Sequence, residues 1–104
     1  MHFADRIAAG DTLLCDGATG TMLFELGLEP GGCPDAIALS NPDLLEEVAR
    51  QYLDAGADIV ESNTFGASPL KLAQYDLASS TEEINRRAVS AVRSVVGGRA
   101  HVAG

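Results

Sequence analysis

Three short apolar runs alternate with two stretches of helical periodicity, and this alternation restricts the fold more than any other feature of the chain. The runs are "TLLC" at 12–15, "DIVES" at 58–62 and "AHVAG" at 100–104. Apolar runs of this length are typical of strands, and we expect the first to be buried on both faces of a sheet. Strands separated by amphipathic helices form parallel sheets. The chain is therefore predicted to be an α/β protein with the element order β–α–β–α–β.

The two longer helices carry recognisable start signals. Asn41 is a favourable N-cap residue, and Pro42 suits the first helical position. Ser80 and Glu83 have the spacing of a capping box at the start of the second helix. The remaining predictions are short helices at 3–9, at 21–26 and from Ser68-Pro69, and a Gly- and Pro-rich loop at 29–40.

Composition excludes several classes of partner. The apolar fraction of 46% is sufficient for a core, and the formal net charge is −8. A nucleic-acid groove or an anionic membrane surface would favour the opposite charge. No run approaches the ~20 apolar residues of a membrane span, and the N-terminus does not have the pattern of a signal peptide. Two cysteines, Cys15 and Cys33, suit a reducing compartment, so we expect a cytoplasmic protein.

The third predicted strand has no helix after it to cover the sheet. Three parallel strands with helices on one side would leave an apolar face and an open edge. A complete (β/α)₈ barrel has eight strand–helix units and about 250 residues. We therefore expect residues 1–104 to form the N-terminal part of a larger α/β domain, with the rest of that domain as a partner.

Small and polar residues follow the first two predicted strands. Asp16 and Gly17 follow the first, and Asn63 and Thr64 follow the second. Ligands of parallel α/β proteins bind at the carboxyl ends of the strands. Asp16 could accept hydrogen bonds from an ammonium group, Gly17 would let a ligand approach the backbone, and the other two offer neutral hydrogen bonds. The pattern favours a site for a small zwitterion such as an amino acid.

Other interpretations of "DGATG" at 16–20 stay open or fail on spacing. The segment could be an ordinary strand-to-helix turn in which Asp16 caps the helix. Gly17 and Gly20 do not have the spacing of a dinucleotide fingerprint, and no Gly-Lys-Ser/Thr sequence is present. No Lys or Arg lies between Arg6 and Arg50, which disfavours a phosphate site.

The other chemically reactive side chains are interpreted as packing residues. Cys15 is expected in the core, Cys33 beneath a turn and His101 in a strand. A cysteine without His or Cys neighbours does not make a zinc site. Tyr52 is expected to pack against the core, while Glu61 could point into a barrel interior, where it would need a partner.

Two long motifs carry a family resemblance. They are "LLCDGATGTML" at 13–23 and "CPDAIALSNPDLLEEVARQYLDAGADIVESNTFGAS" at 33–68. In this order and at this spacing they resemble the homocysteine-binding domain of the homocysteine S-methyltransferases. The segment "LAQYDLASSTEEINRRAV" at 72–89 is most similar to the cobalamin-dependent methionine synthase branch of that family. The resemblance extends over residues 12–104.

The resemblance implies a (β/α)₈ TIM barrel and a set of roles. In the family, the positions of Asp16 and Gly17 hold the amino-acid end of homocysteine, and Thr64, with Asn63 less directly, lines the same pocket. The family transfers a methyl group from a donor, in some members cobalamin, to the zinc-bound thiolate of homocysteine, which gives methionine. The family's three zinc-binding cysteines correspond to positions past Gly104. The resemblance therefore implies no metal ligand or catalytic residue in this chain, which alone is expected to be inactive.

Two alternatives remain beside this reading. The chain could belong to another parallel α/β barrel enzyme of the aldolase type that shares these turns. It could instead be a non-catalytic fragment that assembles with a separately encoded chain. The sequence does not identify the methyl donor.

Overall fold

The protein has a layer of helices on one side of a small parallel sheet, as seen in a computed structural model that describes residues 2–29 and 31–104. Strand β1 (Ile59–Glu61) pairs with strand β2 (His101–Ala103), and Val60 lies opposite Val102. The two strands run parallel and are joined by a helical connection, as the alternation of apolar runs predicts. The α/β class is therefore confirmed at the level of mixed helix and parallel sheet.

The helical elements agree with most of the sequence prediction. The helices are α1 (Phe3–Ala8), α2 (Gly20–Glu25), α3 (Ile37–Ser40), α4 (Pro42–Asp54), α5 (Pro69–Leu72) and α6 (Thr81–Val96). Short 3₁₀ turns lie at Pro34–Ala36, Ala73–Tyr75 and Ala78–Ser80.

The predicted first strand at 12–15 is wrong as a strand. The segment contacts β1 through a single parallel bridge between Cys15 and Ile59. The Leu14 carbonyl accepts from the Ile59 amide at 3.1 Å, and the Asp16 amide donates to the Ile59 carbonyl at 2.9 Å. The segment thus follows the direction of β1 without forming a regular ladder.

Burial of this segment on both faces was also wrong. Leu14 is 58% exposed, and Cys15, predicted as core, is exposed as well. Helix α1, which precedes it, is fully described and has no buried residue. The apolar side chains here stay in contact with solvent because nothing in the described part of the chain covers them.

The predicted loop at 29–40 is wrong in its second half, and its residue 30 lies outside the described residues. A 3₁₀ turn and α3 occupy residues 34–40. Pro34 takes the first helical position of this turn, and Ile37 and Ala38 are buried in the core. Apolar contact with the rest of the molecule therefore stabilises a helical turn that Gly and Pro composition concealed.

The predicted caps give mixed outcomes. Ser68 caps α5, because its Oγ accepts a hydrogen bond from the Lys71 amide at 3.2 Å. Asn41 occupies the N-cap position of α4, but its side chain makes no cap hydrogen bond to any described residue. The capping box at Ser80 is wrong, because this residue closes the preceding 3₁₀ turn and its side chain does not bond to the start of α6.

The core lies between α4, α6 and the inner face of the sheet. From the sheet, Val60 is 1% exposed and packs in this core. The apolar stripes of both helices are buried as their periodicity predicts. The buried residues are Leu45, Val48, Ala49 and Leu53 of α4 and Ile84, Ala88, Ala91, Val92 and Val96 of α6. Among residues 2–29 and 31–104, no helix has both the length and the apolar character that crossing a membrane requires.

Candidate functional site

An open cleft of about 680 Å³ lies at the carboxyl ends of β1 and β2. Its lining comes from residues 17–20, 34–35, 61–66 and 103–104. Both loops that the sequence analysis selected therefore contribute to one concave surface. This is the edge of a parallel sheet at which ligands usually bind.

Asp16 connects the first of these loops to the sheet. Its Oδ2 accepts a hydrogen bond from the Glu61 amide at 3.0 Å, and its Oδ1 accepts from the Cys15 thiol at 3.4 Å. The helix that follows has Thr19 at its N-cap position, so Asp16 does not cap it. Asp16 is partly buried and lies next to the cleft-lining Gly17 without being a lining residue itself.

Gly17 lies in close contact with Tyr52 of α4. The Tyr52 hydroxyl donates to the Ala18 carbonyl at 2.8 Å. A Cβ added to Gly17 would lie 2.9 Å from that hydroxyl oxygen, which is closer than side chains normally approach. The absence of a side chain at Gly17 therefore leaves room for the Tyr52 hydroxyl beside this loop. Sequence reasoning interpreted Tyr52 as a packing residue, and its position on the helical stripe of α4 gave no signal for this bond.

The loop after β1 places Asn63 and Thr64 in the lining of the cleft. The Thr64 and Ser62 hydroxyl oxygens lie 2.7 Å apart and share a hydrogen bond. Asn63 has a left-handed backbone with φ 60, which asparagine tolerates better than most residues. Its side-chain amide donates to the Pro34 carbonyl at 3.1 Å. One of the two Asn63 amide donors is thus used within the protein, while the Ser62–Thr64 pair keeps a hydroxyl hydrogen for another acceptor.

Asp35 is a buried residue of the cleft that sequence reasoning missed. It is 9% exposed, and its Oδ1 accepts from the Gly66 amide at 3.2 Å. Burial raises the pKa of its carboxyl group, while the backbone hydrogen bonds and the charge of Lys71 lower the pKa in part. The available signal was an acid placed directly before the apolar run 36–39.

Cys15, Asp16 and Glu61 form a cluster of potential metal ligands, with one ligand atom of each within 4.8 Å of the others. Desolvation raises the pKa of the Cys15 thiol, and the hydrogen bond to Asp16 and the charges of Asp16 and Glu61 raise it further. Structural zinc sites have four ligands, mostly cysteine and histidine, whereas this cluster offers one cysteine and two carboxylates. Cys15 and Glu61 are both exposed, and Asp16 already accepts two hydrogen bonds. The cluster therefore does not fit a resident zinc ion.

Known proteins that are similar to this chain identify its family. A family model described as homocysteine S-methyltransferase matches residues 13–104. Methionine synthase of Mycobacterium leprae is 37% identical over 100 residues, which covers 88% of this chain and 8% of the relative. Methionine synthase of Mycobacterium tuberculosis is 38% identical over 88 residues, which covers 77% of this chain and 7% of the relative.

The chain thus spans less than a tenth of the length of these two relatives. The family match contains both loops of the cleft, from Asp16 to Gly20 and from Ser62 to Gly66. Together with the parallel strands and the cleft at their carboxyl ends, this match confirms the resemblance: the chain belongs to the homocysteine S-methyltransferase family.

Proposed function

We propose that this chain supplies the amino-acid-binding corner of a homocysteine S-methyltransferase domain of the methionine synthase type. The observation that carries the proposal is the meeting of the two strand-end loops at one cleft in a chain of this family. The domain would transfer a methyl group to the sulfur of homocysteine and release methionine. The names of the two mycobacterial relatives support the same reaction.

The charges around the cleft favour the ammonium group of an amino acid. Asp16, Asp35 and Glu61 lie in or beside it. An ionised carboxylate has about four acceptor positions, so Asp16 keeps acceptor capacity beside the two bonds that it makes within the protein. We assign Asp16 to the substrate ammonium and the Gly17 backbone to close approach of the substrate.

The hydroxyl pair at 62–64 suits the other end of the substrate. When Ser62 donates to Thr64, the Thr64 hydroxyl hydrogen is free to bond to a substrate carboxylate. Asn63 has a weaker role, because its side-chain amide is already bonded to the Pro34 carbonyl and keeps only one N–H donor for a ligand. Asp16, Gly17, Thr64 and Asn63 would thus hold the amino-acid end and leave the sulfur to extend from the cleft.

The reaction for which these residues would hold the substrate is a displacement at carbon. The homocysteine thiol loses its proton, its sulfur forms a bond to the methyl carbon, and the bond between methyl and donor breaks with its electrons leaving on the donor. The contribution of the residues proposed here is positioning, which converts an encounter of two molecules into a reaction within one complex. No residue of the chain is assigned as acid, base or nucleophile.

We assign no residue of this chain to bind a metal or the methyl donor. In the family, zinc is expected to bind the substrate sulfur, but the donor set of Cys15, Asp16 and Glu61 does not fit a zinc site. No step of the proposed methyl transfer passes through a metal held by these residues. Cobalamin remains a candidate methyl carrier, and no residue of this chain is assigned to contact it.

We further propose that residues 1–104 form the N-terminal part of a (β/α)₈ barrel. The bridged segment at Cys15, β1 and β2 all run parallel, which supports this architecture. The family match favours this reading over an aldolase-like barrel. We expect the isolated chain to bind the amino acid and to be inactive in methyl transfer, because the remaining units of the barrel would have to supply the rest of the site.

Titration of the chain with L-homocysteine, followed by NMR, tests whether these residues bind the amino-acid end of the substrate. Asp16→Asn removes the charge that faces the ammonium and should weaken binding about tenfold or more, in line with the strength of charged hydrogen bonds. Asp76→Asn is the matched control, because this exposed residue has a left-handed φ of 58 that asparagine also accepts.

A second ligand distinguishes loss of the ammonium contact from a general disturbance of the binding site. 4-Mercaptobutyrate has the thiol and carboxylate of homocysteine without the ammonium group. The Asp16→Asn variant should bind it as weakly as the unchanged chain does. Equal homocysteine affinity in the variant and the unchanged chain would contradict the role assigned to Asp16.

A further inference from the structure

The turn at residues 63–66 carries Thr64, yet its conformation depends on a distant segment. Its first residue, Asn63, has a left-handed backbone with φ 60. The Asn63 side chain donates to the Pro34 carbonyl at 3.1 Å. At the other end of the turn, the Gly66 amide donates to Asp35 Oδ1 at 3.2 Å. Two consecutive residues, Pro34 and Asp35, therefore hold both ends of this turn.

The Asp35–Gly66 contact is close as well as polar. A Cβ added to Gly66 would lie 2.6 Å from Asp35 Oδ2, a distance that side chains essentially never show. Any larger residue at position 66 would displace the carboxylate or the turn. Glycine at position 66 therefore allows the Asp35 carboxylate to lie this close to the turn.

We propose that Asp35 is a positioning residue of the substrate cleft, which fixes the turn at 63–66 so that Thr64 keeps its place in the lining. This inference rests on the proposed homocysteine site. Asp35 would act through the Gly66 amide and would not itself contact the reacting atoms.

The surroundings of Asp35 suggest a specific role for the carboxylate. Among the residues that the structure describes, Asp35 is the one buried side chain with an ionisable group. Burying such a group costs free energy in its ionised form, and an apolar residue at this position would avoid that cost. Backbone hydrogen bonds and the charge of Lys71 offset part of this cost. A buried acid bonded to the backbone of a cleft loop is well suited to defining the geometry of that loop.

Hydrogen exchange at the Gly66 amide tests the contact directly in the full chain. Asp35→Ala removes the acceptor and should make this amide exchange about tenfold faster or more, as expected for loss of one hydrogen bond. Asp35→Asn keeps an acceptor oxygen and should stay within about threefold of the unchanged chain. Asp76→Asn serves again as the exposed control and should leave the exchange rate unchanged. Unaltered Gly66 exchange in Asp35→Ala would overturn the proposal.

Affinity for L-homocysteine, measured on the same variants, separates positioning from simple stability. Asp35→Ala should weaken binding about tenfold and Asp35→Asn should restore most of it, in step with the hydrogen bond. Fast Gly66 exchange with unchanged affinity would also overturn the proposal, because the turn would then not matter for the site. Failure of the unchanged chain to bind homocysteine would instead refute the proposed function, and the exchange data alone would then decide whether Asp35 fixes the turn.

A second substitution keeps the test decisive if Asp35→Ala does not fold. Gly66→Ala approaches the same contact from the other side and should weaken homocysteine binding while Asp35 is present. In an Asp35→Ser background, where the shorter side chain has lost the contact with Gly66, the two losses should not simply add, because both changes act on one contact. Full additivity of the two changes would count against a shared positioning role.

Discussion

The helical layer and the N-terminal segment of the same chain are stabilised by different forces. Helices α4 and α6 bury a continuous set of apolar side chains, of which Leu45 is 1% exposed. The segment from α1 to Asp16 leaves Phe3, Ile7 and Leu14 about half exposed or more. Hydrophobic burial therefore stabilises the helical layer and is largely absent from the N-terminal segment.

Polar contacts attach the N-terminal segment instead. Arg6 forms ion pairs with Asp11 at 3.1 Å and with Asp58 at 3.7 Å. The Leu14 amide donates to Asp58 Oδ2 at 2.9 Å. Contacts of this kind are weaker than core burial and are sensitive to salt. The difference indicates that stability is distributed unevenly, with the N-terminal segment the easier part to open.

Removing a core side chain should have the largest effect. Leu45→Ala should lower the free energy of unfolding by about 2–5 kcal/mol, because it removes buried methyl groups and leaves a cavity. Leu14→Ala is the matched control in the exposed segment and should change it by about 0.5 kcal/mol or less. Urea denaturation followed by circular dichroism measures both. Similar losses at the two positions would show that the N-terminal segment is buried in solution.

Removing the polar attachment should have an intermediate effect. Asp58→Ala deletes the acceptor of the Leu14 amide and one of the two ion-pair partners of Arg6, and should cost about 1 kcal/mol. Hydrogen exchange should accelerate at Leu14 and leave the amides of α6 unchanged. Asp54→Ala, which removes an exposed ion pair to Arg99, is the control and should have little effect on either. Loss of protection throughout α6 would mean that the two regions open together.

The smallest expected effect is a pH dependence of stability that arises from the buried carboxyl group of Asp35. Burial raises the pKa of Asp35, so the folded protein retains this proton at a pH where the unfolded chain has lost it. Its contribution to stability is therefore complete below the unfolded pKa and falls as pH rises through the folded pKa. The free energy of unfolding of Asp35→Asn, relative to that of the unchanged chain, should therefore be higher at pH 7 than at pH 4. Urea denaturation at the two pH values measures this difference, and a difference independent of pH would contradict it.

The candidate site shows how far sequence reasoning extends. It selected Gly17, Asn63 and Thr64, which the structure brings together in one cleft. It did not anticipate that the Asn63 amide bonds to Pro34 or that Tyr52 contacts Gly17. The roles of these residues toward a substrate stay predictions. The strand end can be recognised locally, whereas the partners of its side chains come from other segments.

Local sequence determined the elements whose signals lie within a few residues. The apolar stripes of α4 and α6 and the Ser68 cap of α5 follow from helical geometry, because the interacting residues lie within one or two turns. The family motifs likewise are contiguous stretches, and the family match confirms them.

Tertiary structure alone decided the contacts between distant segments. Tyr52 bonds to a carbonyl 34 residues away, and Asp35 bonds to an amide 31 residues away. The segment at 12–15 has the composition of a buried strand, but it pairs through a single bridge and stays exposed because nothing described covers it. Burial depends on which other segments surround a residue, and periodicity within one segment does not contain that information.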